Sequence, residues 1–214
     1  MKIYPLPSGP IQTIGYLLTE PPAGEAVLVD APADVWEKVQ PILAKDGCKL
    51  VELWLTHGHW DHTQDAATIK RATGAVVRAH QADQHLIETP EVMRDFLMPG
   101  MELEGVKIDA FMRQGDRLAA LGREFEVRHV PGHCPGNVLF HQAEAKAALV
   151  GDALFNGGVG RWDLPGGNFE QLAASIRGQI YTLPDETIVL PGHGPRTTVG
   201  DEKENNPFVA GVAR

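Results

Sequence analysis

The chain has 214 residues, 43% of them hydrophobic, with a formal charge of −9 and a pI near 5.4. That size suits one substantial globular domain, and the acidic balance excludes a protein built around a basic groove for nucleic acid. No apolar run approaches the roughly 18 residues of a membrane span, and Pro5 and Pro7 break the segment where a secretory signal needs continuity, so a cytoplasmic protein without a membrane partner is expected. Cys48 and Cys134 are too few for a disulfide framework and read as reduced thiols.

In chain order, Ile11 to Thr19 and Ala26 to Val29 read as strands, the second closed by Asp30-Ala31-Pro32. Ala33 to Lys45 has helical spacing through Val35, Val39 and Ile42-Leu43, with Pro41 as an imperfection. Leu50 to Leu55 is the next strand. Gln64 to Ala72 has helix-forming composition and stops at Thr73-Gly74. Ala75 to Ala79 is a short strand, and Asp83 to Leu97 is weakly helical around Pro90. Val106 to Ala110, Arg117 to Ala120, Glu124 to Val130, Val138 to His141 and Ala147 to Val150 read as strands. Phe169 to Tyr181 reads as a helix and Thr187 to Leu190 as a last strand. The mixed order implies sheets covered by helices, an α/β protein in a single domain.

Between the strand ending at Leu55 and the helix from Gln64 lies Thr56-His57-Gly58-His59-Trp60-Asp61-His62. It sets His57, His59, Asp61 and His62 within six residues, a composition that makes sense around one or two divalent cations. His133 after Val130, Asp152 after Val150 and His193 after Leu190 repeat the placement, each just past an apolar strand-like stretch. Loops at strand ends are held rigidly, so residues far apart in sequence can converge there. Asp152, taken alone after Gly151, also suits a turn or a helix cap. His80, His85, His129 and His141 sit in or beside ordinary elements and read as structural.

The pattern His57-x-His59-x-Asp61-His62 with His133, Asp152 and His193 resembles the metallo-β-lactamase superfamily. That likeness implies an αβ/βα four-layer sandwich of two mixed β-sheets flanked by helices, with metals at one edge. Gly157-Gly158-Val159-Gly160-Arg161, Asp163-Leu164-Pro165, Pro191-Gly192-His193-Gly194-Pro195 and Glu202-Lys203-x-x-Asn206-Pro207-Phe208 resemble the short, single-domain type II glyoxalases nearly end to end. The resemblance implies one metal on His57, His59 and His133, a second on Asp61, His62 and His193, and Asp152 bridging them. Zinc is the expected ion, and iron and manganese suit the same donors.

Water shared between two such ions loses a proton near neutral pH, which supplies a hydroxide nucleophile. The activity the resemblance implies is hydrolysis of a small-molecule thioester of the hydroxyacylglutathione kind, with Asp61 orienting the nucleophile and Arg161 gripping a substrate carboxylate. Superfamily β-lactam hydrolases carry cysteine or serine where this chain has Asp152, which disfavours that activity. Flavodiiron-type members place glutamate where this chain has His59. Two alternatives stay open. One is a mono-iron glutathione persulfide dioxygenase, a group with the same ligand types but usually an aspartate and a tyrosine after the last histidine, where Gly194 and Pro195 stand here. The other is a lactone hydrolase. The larger type II glyoxalases add a C-terminal helical region that supplies glutathione contacts; the chain stops shortly after Phe208, so weak glutathione binding is expected. Trp60 either lines the pocket mouth or packs on its neighbouring loop, and Cys134 reads as a small buried residue.

Overall fold

The computed structural model describes residues 1–210. The chain forms two compact units, Met1–Met112 with Ala119–Arg123, and Arg113–Leu118 with the residues from Glu124 on. Two six-stranded mixed sheets and their helices make the fold α/β, as the strand and helix order implies. Among the described residues no helix is long and apolar enough to cross a membrane.

The first sheet runs β1 (Lys2–Ser8), β2 (Thr13–Glu20), β3 (Glu25–Val29), β4 (Lys49–Trp54), β5 (Val76–His80) and β6 (Ala110–Met112), in that order across the sheet. β1 to β3 are antiparallel neighbours, and β3 to β6 pair in parallel. Parallel strands need a crossover, and α1 (Val35–Asp46) supplies the first one. Its buried positions Val35, Val39 and Leu43 recur every four residues on one face, and Gly47 closes it in the left-handed conformation. Pro41 lies inside this helix on the exposed side, as does Glu37, whose carbonyl loses its partner. Water can satisfy that carbonyl, so the helix continues.

After β4 come α2 (Trp60–Thr63) and α3 (Ala66–Thr73), and after β5 comes α4 (Gln84–Glu88). The expected weak helix over 83–97 breaks at Thr89-Pro90, with a 3-10 segment at Pro90–Phe96. The strand expected at Val106 to Ala110 falls instead at Ala110–Met112. Val106 and Ile108 are buried in alternation like strand residues, but their N–H groups bond to Ile87 O at 3.0 Å and Glu88 Oε1 at 2.9 Å, not to a ladder. β1 escapes a sequence reading because Pro5 and Pro7 interrupt it. It survives as an edge strand, where a missing donor can face away from the sheet.

The second sheet holds β7 (Arg117–Ala120), β8 (Arg123–His129), β9 (Val138–Gln142), β10 (Ala147–Gly151), β13 (Ile188–Pro191) and β14 (Thr197–Thr198), in spatial order β14-β13-β10-β9-β8-β7. A separate two-stranded hairpin, β11 (Leu154–Phe155) and β12 (Gly158–Val159), follows β10. α5 (Phe169–Ser175) runs on as a π-helical turn over Ile176–Ile180, and α6 (Val199–Asn205) follows β14. Leu139, Ala148, Val150 and Val189 of this sheet pack with Leu172, Ile176 and Ile180 as one apolar core. A second apolar core in the first unit joins Leu28, Leu53 and Val77 to Val35, Val39 and Ile69.

Candidate metal centre

In the first unit, His57, His59, Asp61 and His62 share one turn of chain. β4 ends at Trp54, the loop carries His57 and His59, and α2 begins so that Asp61 and His62 fall in its single turn. The ring centroids of His57 and His59 are 4.7 Å apart, and those of His57 and His62 are 4.1 Å apart. His57, Asp61 and His62 are buried, and His59 is half-buried. Gly58 between the first two histidines is there for space. A Cβ at that position would lie 2.8 Å from Leu86 Cβ and 3.0 Å from Asp83 Cβ, and the Gly58 N–H already donates to Asp83 Oδ2 at 2.8 Å.

Asp30, at the end of β3, orients two of these imidazoles. It is buried, with φ 62°, a left-handed conformation that Asp and Asn tolerate best among non-glycine residues. Its Oδ1 accepts Thr56 N–H at 2.7 Å, and its Oδ2 accepts the Thr56 hydroxyl at 2.8 Å and His62 Nδ1 at 2.8 Å. Because the Thr56 proton goes to Asp30, Thr56 Oγ1 is left as the acceptor for His57 Nδ1–H at 3.0 Å. Both rings therefore carry the proton on Nδ1 and offer Nε2, the arrangement a metal-ligating histidine needs. Asp61 is fixed separately, by the Thr13 hydroxyl donating to Oδ2 at 2.7 Å.

The second unit gathers His133, Asp152 and His193. They follow β8, β10 and β13 within one to four residues, so three strand ends deliver them. Gly192 N–H bonds to Gly151 O at 2.8 Å and ties two of those ends together. His133 Nδ1 donates to Arg161 O at 2.7 Å, leaving Nε2 directed at Asp152, whose Oδ2 lies 3.7 Å away. His193 Nε2 is 3.4 Å from the same oxygen, and the Phe155 ring meets His193 edge-on at 6.0 Å.

These separations test whether the donors suit a metal. A charge-assisted hydrogen bond is about 2.7–2.9 Å long, and two donors on one tetrahedral ion with bonds near 2.1 Å lie about 3.4 Å apart. The Nε2 to carboxylate distances are 3.3 Å for His62–Asp61, 3.4 Å for His193–Asp152 and 3.7 Å for His133–Asp152. They match ligand edges better than ion pairs, and neutral imidazole with carboxylate is a donor set for zinc, iron or manganese. The residues present fit a metal.

Arg161 is placed differently from a free substrate grip. Its guanidinium makes a bidentate pair with Asp163 at 2.9 and 3.0 Å, with both side chains about two-thirds exposed. The Arg161 backbone carbonyl, by contrast, orients His133. Trp60 opens α2 half-buried, and Cys134 is fully buried. Among the remaining histidines, His80 Nδ1 accepts Ala82 N–H at 3.2 Å and His129 Nε2 bonds to Pro135 O at 2.7 Å. Burial first, and then Arg128, pushes the His141 pKa down.

An α/β fold with imidazole and carboxylate donors at the ends of its strands defines a class of metal-dependent enzymes. The family described as the metallo-beta-lactamase superfamily matches residues 9–193, and the chain belongs to it. It is a metallo-hydrolase of that superfamily, and its fold is the family's. It is similar to the hydroxyacylglutathione hydrolase GloC of Haemophilus influenzae, with 38% identity over 86% of this chain and 87% of that one. The crystal structure of the BLEG-1 B3 metallo-beta-lactamase matches with a TM-score of 0.90 and 34% identity, covering 98% of this chain and 100% of that one. That of TTHA1623 in a di-iron-bound form matches with a TM-score of 0.84 and 36% identity, covering 96% and 99%.

Proposed function

We propose that the two donor clusters work as one centre in a single functional domain, and that this centre hydrolyses a thioester of the hydroxyacylglutathione kind. In this reading His57, His59 and His133 would hold one divalent ion and Asp61, His62 and His193 a second, with the Asp152 carboxylate available to both. The ion is zinc in this reading, and iron or manganese fits the same donors. Such ions, when bound, polarise a carbonyl and bring the pKa of water towards neutrality.

The chain's own residues do the positioning. Asp61, steadied by the Thr13 hydroxyl, accepts a hydrogen bond from the attacking water and orients it. His57 and His62, locked through Asp30 and Thr56, keep their Nε2 lone pairs available. Arg161 exchanges Asp163 for a carboxylate of the substrate, a switch that costs little because the pair is exposed to water. A thiolate leaves readily at neutral pH, so the reaction needs no strong general acid.

The observation that carries the substrate class is the 38% identity to a hydroxyacylglutathione hydrolase along most of both chains. The test is a parallel assay of metal-quantified protein for hydroxyacylglutathione hydrolysis, oxygen uptake with glutathione persulfide, and β-lactam and lactone hydrolysis. Thioester hydrolysis that tracks metal content and disappears on chelation is expected. Oxygen uptake without hydrolysis, or turnover of only the lactam or lactone, overturns the proposal. So does a His57→Ala or Asp152→Ala variant that keeps full activity and full metal content.

A further inference from the structure

The hairpin of β11 and β12 touches every donor of the second cluster. Asp152 leads into it, Phe155 on its first strand meets the His193 ring, and the carbonyl of Arg161, just past its second strand, takes His133 Nδ1–H. Gly160 is pressed so closely against this cluster that a Cβ there would sit 1.8 Å from Asp152 O and 2.9 Å from His133 Nδ1. Whatever fixes the hairpin fixes these side chains.

A buried carboxylate on α6 does so. Glu202 is 3% exposed, and its two oxygens share the N–H of Gly157, at the hairpin's turn, at 3.2 and 3.1 Å. Oε1 also accepts the Thr197 hydroxyl at 2.7 Å, and Oε2 accepts Asn206 Nδ2 at 2.7 Å. Asn206 Nδ2 donates as well to Gly158 O at 3.1 Å, while its Oδ1 accepts Phe208 N–H at 3.0 Å. An ion buried at this depth is costly unless it is fully hydrogen-bonded, and three donors converge on it. Glycines at the turn give flexibility, and this clamp removes it.

We propose that Glu202, acting with Asn206, is a positioning residue for the second donor cluster, holding the hairpin so that Arg161 O keeps His133 in the Nδ1–H form and Asp152 stays against it. The inference rests on the reading that these residues hold a metal, and it is independent of which substrate is hydrolysed.

Glu202→Gln keeps the shape but turns an amide nitrogen towards donors. With the amide nitrogen on the Thr197 side the hydroxyl rotates to accept, but the one remaining oxygen must serve both Asn206 Nδ2 and the Gly157 N–H, which can only donate, so Gly157 loses one of its two acceptors. Asn206→Ala removes the other half of the clamp, taking a donor from both Glu202 Oε2 and Gly158 O.

Zinc affinity by chelator competition and the His133 Nδ1–H resonance by histidine-labelled NMR read the effect without any activity assay. Lost partners outside the ligand shell lower metal affinity by about 10–100-fold. Glu202→Gln and Asn206→Ala are each expected at the lower end, about tenfold, with the resonance shifted or exchange-broadened. Lys203→Ala, which removes the pair with Asp185 and a long bond to Leu183 O but touches neither Glu202 nor the hairpin, is expected to leave both readouts unchanged. If Glu202→Gln does not fold, Asn206→Ala supplies the same comparison. A folded Glu202→Gln or Asn206→Ala variant with wild-type zinc affinity and an unmoved His133 resonance overturns the inference. A thioesterase reading that fails leaves these outcomes intact.

Discussion

Asp30→Asn isolates the role of the carboxylate that orients His57 and His62. Asparagine fills the same volume and, like aspartate, tolerates the φ of 62° at this position. Alanine would add backbone strain of roughly 1–2 kcal/mol and strip partners from three buried donors, Thr56 N–H, the Thr56 hydroxyl and His62 Nδ1–H. At about 1–3 kcal/mol for each lost partner, that loss is comparable to the whole stability of a domain, about 5–15 kcal/mol. Asparagine avoids most of the damage. Its carbonyl oxygen still accepts Thr56 N–H, while its amide nitrogen now faces the Thr56 hydroxyl and His62 Nδ1, both of which donate to Asp30 in the native protein. The hydroxyl can turn, and the imidazole can move its proton to Nε2. A ring protonated on Nε2 cannot ligate through that atom. The expected result is a folded protein with zinc affinity lowered about 10–100-fold, equivalent to roughly 1.4–2.7 kcal/mol, and His62 present as the Nε2–H tautomer. Chelator competition measures the first, and two-bond nitrogen–proton correlation spectra of labelled histidine measure the second. A folded Asp30→Asn variant with native affinity and native tautomers refutes the reasoning.

Thr13→Val keeps the side-chain shape and removes the hydroxyl bonded to Asp61. A hydrogen bond to a charged group contributes about 1.5–3 kcal/mol, so thioester turnover is expected to fall about 10–100-fold in kcat, with KM little changed. Arg161→Ala is expected to raise KM roughly tenfold for a thioester bearing a free carboxylate and to leave KM unchanged for an uncharged one; an equal effect on both removes Arg161 from substrate recognition. Asp46 gives a pH signature unrelated to the metal. Hydrogen bonds from Lys2, then Thr19, hold its carboxyl down to about 2. Its folded pKa is thus below the unfolded one, so its stabilising contribution is complete above about pH 4 and is lost as pH falls towards 2. Acid unfolding of Asp46→Asn is expected to be less steep across that window, measured by circular dichroism against the parent.

The side chains proposed as donors stand out in the sequence and the partners that orient them do not, for a physical reason. A histidine or aspartate at a strand end advertises itself twice, by its residue type and by the apolar run before it, as His133, Asp152 and His193 do after β8, β10 and β13. Asp30 also follows a strand, but Asp30-Ala31-Pro32 is indistinguishable from an ordinary turn until the chain brings Thr56 and His62 to it from 26 and 32 residues away. Thr13 reaches Asp61 across 48 residues, and the atom of Arg161 that matters to His133 is a backbone carbonyl, which has no residue identity to read. Local periodicity failed for the same reason at Val106 and Ile108, whose alternation is that of a strand while their N–H groups bond to Ile87 and Glu88. What sequence pattern conveys is burial and residue chemistry. It does not convey which buried acid meets which imidazole, and in this protein that pairing sets the ring tautomers of His57 and His62. Two chains with the same seven donors can therefore differ in metal affinity through an aspartate at the end of β3 alone, and Asp30→Asn measures how large that difference is.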